Sequence, residues 1–194
     1  MNQADLVQKL KEGDEEAFRF LVEERKNSIY NICLGYTRNH EDAEDLAQDV
    51  FMEVFRSIDG FKGESDLNTW IYRITINKSL QFLRSIKRKR RWNQMISFLT
   101  FDDFLEDSED DSPVYSLGKE IKNEERVKIL LKAVDSLPEN QKTVFLLHQT
   151  EGLSYQEISE VMDTSLSAIE SLMFRAKQNL RTRLSSWYQK WNNE

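Results

Sequence analysis

Along this chain apolar residues return every three or four positions in bursts, and short polar turns separate the bursts. Such spacing lines one side of a helix, so the pattern predicts helices throughout. Asp14 stands as an N-cap before a helix carrying Phe18, Leu21 and Val22, and a second helix continues through Ile29, Ile32, Cys33 and Tyr36. Asn39 can cap a third, with Asp42 three residues on; Leu46, Ala47, Val50, Phe51, Val54, Phe55 and Ile58 then form one broad apolar stripe. After a turn bounded by Gly60 and Gly63, a fourth helix carries Trp70, Ile71, Ile74, Ile76, Leu80 and Leu83 and ends in the basic run Lys87–Arg91.

Residues 93–120 lose the period. Phe98, Leu99, Phe101, Phe104 and Leu105 alternate with carboxylates ahead of Ser112-Pro113, which predicts an extended or partly disordered linker. From about Lys122 the helical spacing returns with Val127, Leu130, Leu131 and Val134, and Pro138 disfavours helix at Leu137. The next helix carries Val144, Phe145 and Leu147. Ser154 and Glu157 then have the spacing of a capping box at the start of a short helix, Tyr155–Met162. Asp163-Thr164-Ser165 breaks that helix, and a longer one runs from Leu166 through Leu184 with Ser165 as its N-cap. Two helices joined by so short a turn, the second basic at its far end, have the helix-turn-helix layout.

Composition agrees with this picture. Six Gly and two Pro in 194 residues leave little turn chemistry for a β-rich fold, and 39% hydrophobic residues suffice for a core. No apolar run approaches the roughly 18 residues a membrane span needs, so no direct membrane insertion is expected. The N-terminus lacks the basic-then-apolar order of a signal peptide, and Cys33 is the only cysteine, which fits a reducing, cytoplasmic setting. The expected fold is all-α: two small helical domains over 1–92 and 123–190, joined by a flexible acidic linker over 93–122.

Charge is segregated. The net value of −7 argues against nucleic acid, yet Leu67–Arg91 holds eight Lys/Arg and no acid, and Ser165–Trp191 holds five against one. Seven of the ten residues Asp102–Asp111 are acidic. Local fields decide what docks where. In the last helix Ile169, Leu172 and Ala176 point to the core, leaving Ser167, Ala168, Glu170, Ser171, Phe174 and Arg175 toward a groove, with Lys177, Arg181 and Arg183 as a phosphate-binding flank. The alternative is an ordinary helical hairpin with a solvated face. Arg84, Lys87, Arg88, Lys89, Arg90 and Arg91, near Trp70, Tyr72, Phe82, Trp92 and Asn77, suit capture of unstacked bases, or else they only complement a helix C-terminus. Glu44, Asp45, Gln48, Asp49 and Glu53 oppose the third helix's apolar stripe, as a docking face or a solvated one.

Asp42–Phe51, Phe61-Lys62-Gly63 and Leu67–Ile74 with Asn77 closely resemble the promoter-melting domain of sigma factors, region 2. Leu137–Gln141, Gly152–Ile158 and Phe174–Lys177 resemble their −35-binding domain, region 4. With no large domain between them, the resemblance is to the compact extracytoplasmic-function group. It implies that Asp45, Gln48 and Asp49 dock on the polymerase β′ clamp, with region 4 on the β flap. It also implies that Gly63, Ser65, Asn68 and Asn77 form a pocket for a flipped −10 base, and Arg84, Lys87, Arg88, Arg90 and Arg91 hold its phosphates. Trp70 either supports strand separation or belongs to the core. Ser165, Ser167, Ala168, Glu170, Ser171, Phe174, Arg175 and Lys177 would lie over the −35 major groove; Glu170 departs from the frequent basic residue and can accept from cytosine N4. The partners implied are core polymerase, promoter DNA and an anti-sigma factor. The acidic linker would thread toward the RNA exit path, or fold back on Lys87–Arg91.

No cofactor, metal or catalytic site is expected. His40 and His148 lie far apart and no Gly-rich phosphate loop exists, so a small enzyme is a thin rival. A stand-alone helix-turn-helix regulator would leave Asp45, Gln48 and Asp49 without a task. A helical protein-binding adaptor would show no DNA affinity at all.

Overall fold

A computed structural model of the protein describes residues 2–97 and 124–191. Among these, the elements are α-helices and one 3-10 turn, with no strand: α1 Gln3–Lys11, α2 Glu15–Thr37, α3 His40–Ser57, the turn Ile58–Gly60, α4 Leu67–Ser97, α5 Glu124–Asp135, α6 Glu139–Glu151, α7 Tyr155–Val161 and α8 Leu166–Trp191. The all-helical expectation holds. Most of the acidic linker, including Asp102–Asp111, lies outside the described residues.

Local chemistry sets the helix starts. Asp14 accepts from the Ala17 amide at 2.9 Å and Asn39 from the Asp42 amide at 3.0 Å, each satisfying an orphan donor. Two segments differ from expectation. Phe18 and Tyr36 lie on one uninterrupted helix, α2, because neither Gly nor Pro interrupts Glu15–Thr37 except Gly35 near its end. The fourth helix does not stop at Arg91 but continues to Ser97. The short α1 carries only Leu6 and Leu10 as buried residues, a pattern too brief to predict it.

Two apolar clusters result. The first gathers Leu6, Leu21, Ile29, Cys33, Val50, Val54 and Ile71 from α1–α4. The α3 stripe is narrower than expected: Val50 and Val54 are buried, but Phe55 is half exposed and meets Phe18 edge-on. The second cluster centres on α5–α8, with Leu131, Val144, Leu147, Ile158, Ile169 and Met173, and it also takes in Ile32, Tyr36, Tyr72 and Ile76. Helices α2 and α4 therefore feed both clusters, and the two units pack directly against each other. Residues Ile32–Tyr36 are all buried, as a helix stretch clamped on two sides must be.

At this seam Leu146 rests on bare backbone: a Cβ on Gly35 would stand 3.1 Å from both its methyls. The Tyr36 hydroxyl meets the Thr143 hydroxyl at 2.7 Å. Beside them Asp135 receives Arg38 at 3.1 Å and the buried Lys142 at 2.7 Å. Burial lowers the Lys142 ammonium's pKa, and the Asp135 carboxylate works against that shift.

Candidate nucleic-acid interface

Helix α3 turns its apolar side inward and leaves Asp45, Gln48 and Asp49 exposed on adjacent turns. The acidic face predicted there divides in two. Glu53 is drawn to Lys78 of α4 at 2.9 Å, whose ammonium holds its carboxyl below the usual range. No described residue forms a hydrogen bond or ion pair with the side chains of Asp45, Gln48 or Asp49. Met52, one turn on, is exposed as well, so the surface continues from charge into an apolar edge.

The loop between the 3-10 turn and α4 is held from three sides. The Asp66 carboxylate caps α4 by accepting from the Asn68 amide at 2.7 Å. The Lys11 ammonium donates to the Phe61 carbonyl at 2.8 Å, which fastens α1 to the loop. Gly63 turns through φ +74°, in the left-handed region. Trp70 is half buried, its ring 5.3 Å from that of Phe61 and packed on the first cluster. Asn68 lies at the start of α4 near the loop. Asn77 lies nine residues on, hence on the opposite side of the helix and about 13 Å further along its axis. The structure therefore does not bring Asn77 together with Gly63, Ser65 and Asn68. Arg84, Lys87 and Arg88 are exposed further along α4, which also carries Arg90 and Arg91.

In the second unit the capping box is complete. The Glu157 amide donates to the Ser154 hydroxyl at 3.2 Å and the Ser154 amide to the Glu157 carboxylate at 2.8 Å. Asp163 adopts φ +49°, which makes the tight turn into α8, where Ser165 accepts from the Ala168 amide at 3.3 Å. Helices α7 and α8 bury Ile158, Val161, Ile169, Met173 and Ala176, whereas Leu172, expected in the core, is only half-buried. Outward stand Ser167, Glu170, Ser171, Arg175 and Lys177, with Ala168 half-exposed and Phe174 67% exposed. The Arg175 guanidinium folds back on the Ser171 carbonyl at 3.2 Å. The face is thus assembled by a helix-turn-helix and lies clear of the first unit.

Two family models match the chain: sigma-70 region 2 over residues 21–90 and sigma-70 region 4 over residues 128–180. The ECF RNA polymerase sigma-E factor of Haemophilus influenzae is 31% identical over 189 residues, spanning 92% of this chain and 93% of that one. The chain belongs to the extracytoplasmic-function (ECF) sigma factors of the sigma-70 family. It is an RNA polymerase sigma factor. The RNA polymerase sigma-H factor of Pseudomonas aeruginosa is 30% identical over 175 residues, spanning 89% of each chain. Among solved structures, CnrH in complex with the cytosolic domain of CnrY shares this ECF sigma factor's fold at a TM-score of 0.67, with 18% identity and 95% and 97% of the chains covered. The sigma factor RpoE of Bartonella quintana, with the anti-sigma factor NepR, follows at 0.62, with 21% identity, over 87% of this chain and 96% of that one.

Sequence reasoning missed Lys11 and Asp66, which brace the loop, and the whole seam of this sigma factor. Asp66 carried a usable signal, an acid directly before the helix that begins at Leu67. The seam carried none, since Tyr36 and Thr143 are 107 residues apart.

Proposed function

We propose that the two units divide promoter recognition as the family resemblance implies, with residues 1–92 acting as the polymerase- and −10-binding domain, 93–122 as linker and 123–190 as the −35-binding domain. Asp45, Gln48 and Asp49 dock on the β′ clamp of core polymerase, and the second unit reaches the β flap. Gly63, Ser65 and Asn68 receive a flipped −10 base, with Trp70 bracing the loop through Phe61. Asn77 contacts the strand from the other side of α4. Arg84, Lys87, Arg88, Arg90 and Arg91 hold phosphates. Ser165, Ser167, Ala168, Glu170, Ser171, Phe174, Arg175 and Lys177 lie over the −35 major groove, where Phe174 meets a thymine methyl and Glu170 accepts from cytosine N4.

The observation that carries this reading is the exposed Asp45–Gln48–Asp49 face, without a partner among the described residues, which a stand-alone DNA regulator would have no use for. The protein works in the cytoplasm and contributes no catalytic chemistry of its own; among the described residues no helix is long and apolar enough to cross a membrane. An anti-sigma factor is the proposed regulatory partner, by analogy with the RpoE–NepR pair.

Run-off transcription with core polymerase and promoter DNA enriched from the source genome tests the assignment. Defined transcripts that vanish in the D45A/Q48A/D49A variant are expected. Duplex binding without polymerase association or transcripts would instead establish a stand-alone regulator.

A further inference from the structure

Helix α1 is nine residues long, and its packing on the first cluster rests on Leu6, Val7 and Leu10. Its polar ends are both spent on one loop. Lys11, at the C-terminal end, donates from its ammonium to the Phe61 carbonyl at 2.8 Å. Gln3, at the N-terminal end, grips the far side of the same loop. With its carboxamide turned to satisfy both atoms, the nitrogen donates to the Asp66 carboxylate at 2.5 Å and the oxygen accepts from the Leu67 amide at 3.3 Å. Asp66 also accepts from the Asn68 amide at 2.7 Å, so the contacts run from α1 into the first turn of α4.

Phe61 and Leu67 are the buried feet of this loop, and Lys62, Gly63 and Glu64 between them are exposed. The loop's own covalent structure does not fix its mouth, because six residue steps reach roughly 20 Å when extended. A helix is stiffer. Rising about 1.5 Å per residue, α1 holds Gln3 and Lys11 about 12 Å apart along its axis, and each grips one foot. A cation near a helix C-terminus has an ordinary use in complementing the dipole, but that use needs no acceptor on another element. Gln3 carries no charge to complement a helix start.

We propose that α1 is a strut that sets the mouth of the −10 loop, with Lys11 and Gln3 as positioning residues. They touch no DNA; they hold Gly63, Ser65 and Asn68 in the arrangement that selects an unstacked base. The inference rests on the assignment of that loop to base capture made above. Both side chains lie at the surface, where a single hydrogen bond adds little to folding, so their effect falls on base selection.

Core polymerase loaded with each variant can capture single-stranded dodecamers from a random-sequence oligodeoxynucleotide pool. Sequencing of the captured strands, against core polymerase alone, reads base preference. The parent chain is expected to enrich one base at one position. Gln3→Ala combined with Lys11→Met is expected to cut that enrichment about fivefold. Co-elution with core polymerase and the thermal midpoint of the first unit should stay as in the parent. Lys11→Arg, which can still donate to the Phe61 carbonyl, should keep the enrichment within about twofold of the parent. An undiminished preference in the double variant overturns the strut, as does K11R being as impaired as K11M. A loss that comes with failed co-elution or a lowered midpoint overturns it too, because that is general destabilisation. If the double variant does not fold, K11M alone decides by the same readings. Asn68→Ala separates the underlying assignment: a preference that survives N68A, or a parent with none, overturns the base-receiving loop itself. A preference lost in N68A but kept in Q3A/K11M overturns only the strut.

Discussion

Helix α2 borders two apolar clusters, and they are built on different terms. Toward α3 and α4 it presents Leu21, Ile29 and Cys33 to Val50, Val54 and Ile71, side chains with no strong hydrogen-bonding group to lose or regain. Toward α5 and α6 it presents a tyrosine hydroxyl and a glycine backbone, with Arg38 just past its end, and what faces them is Thr143, Leu146 and Asp135. One oxygen of Glu151, in the same region, is buried with no hydrogen-bond partner among the described residues. Exposing the first cluster forfeits hydrophobic burial and gains nothing. Opening the second lets each polar group exchange a protein partner for water, so its net cost per bond is small. The first contact is apolar throughout, whereas the second mixes apolar packing with polar pairs.

The largest effect should come from the first cluster. Ile71→Ala, at a site 1% exposed, is expected to cost about 2–5 kcal/mol in urea unfolding followed by far-UV circular dichroism. A cost below about 1 kcal/mol would mean that the two clusters are equally yielding. Tyr36→Phe removes the hydrogen bond to the Thr143 hydroxyl, which keeps its bond to the Glu139 carbonyl, and should weaken closure by about 1 kcal/mol, seen as a raised radius of gyration with the unfolding midpoint of the first unit little changed.

A pH dependence should follow at similar or smaller scale. Burial raises the Glu151 carboxyl's pKa, with Ser28, Thr150 and Arg25 nearby opposing the shift and Tyr72 and Glu157 in the same neighbourhood. A raised carboxyl pKa means that closure favours the neutral form. Its stabilising effect is full below the ordinary carboxylate range and is lost as pH rises through the closed-state value. Scattering from pH 4 to 7 should therefore show a more compact chain at the acid end, and Glu151→Gln should flatten that trend. The smallest effect on stability, within about 0.5 kcal/mol, is expected for D45A/Q48A/D49A, because these side chains touch no described partner. The same variant should abolish co-elution with core polymerase, so stability and docking separate cleanly at this face.

The contrast between the two clusters also explains what could be read from sequence. Asp14, Asn39, Ser154 and Ser165 announce their helices because a cap acts within four residues of itself, and the structure contains all four contacts. The outward face of α8 followed from the same local periodicity. Relations across the chain left no trace. Ile32 and Tyr36 look like core residues whichever element covers them, and Glu139 looks like any acid in a first helical turn. Only the folded chain shows Glu139 beside Lys87, 52 residues away. The break expected within α2 failed for a related reason: polar Lys26 and Asn27 resemble a turn, yet they are exposed positions on a helix whose opposite side is buried.

The lone sulfhydryl, Cys33, has one further consequence. It is completely enclosed within the first cluster, and burial pushes its pKa up to about 12. A thiol that stays protonated and out of reach of solvent reacts slowly with peroxide, with disulfides and with alkylating agents. In the folded chain Cys33 is therefore a poor target for oxidants, and its sulfur serves the core as a small apolar group.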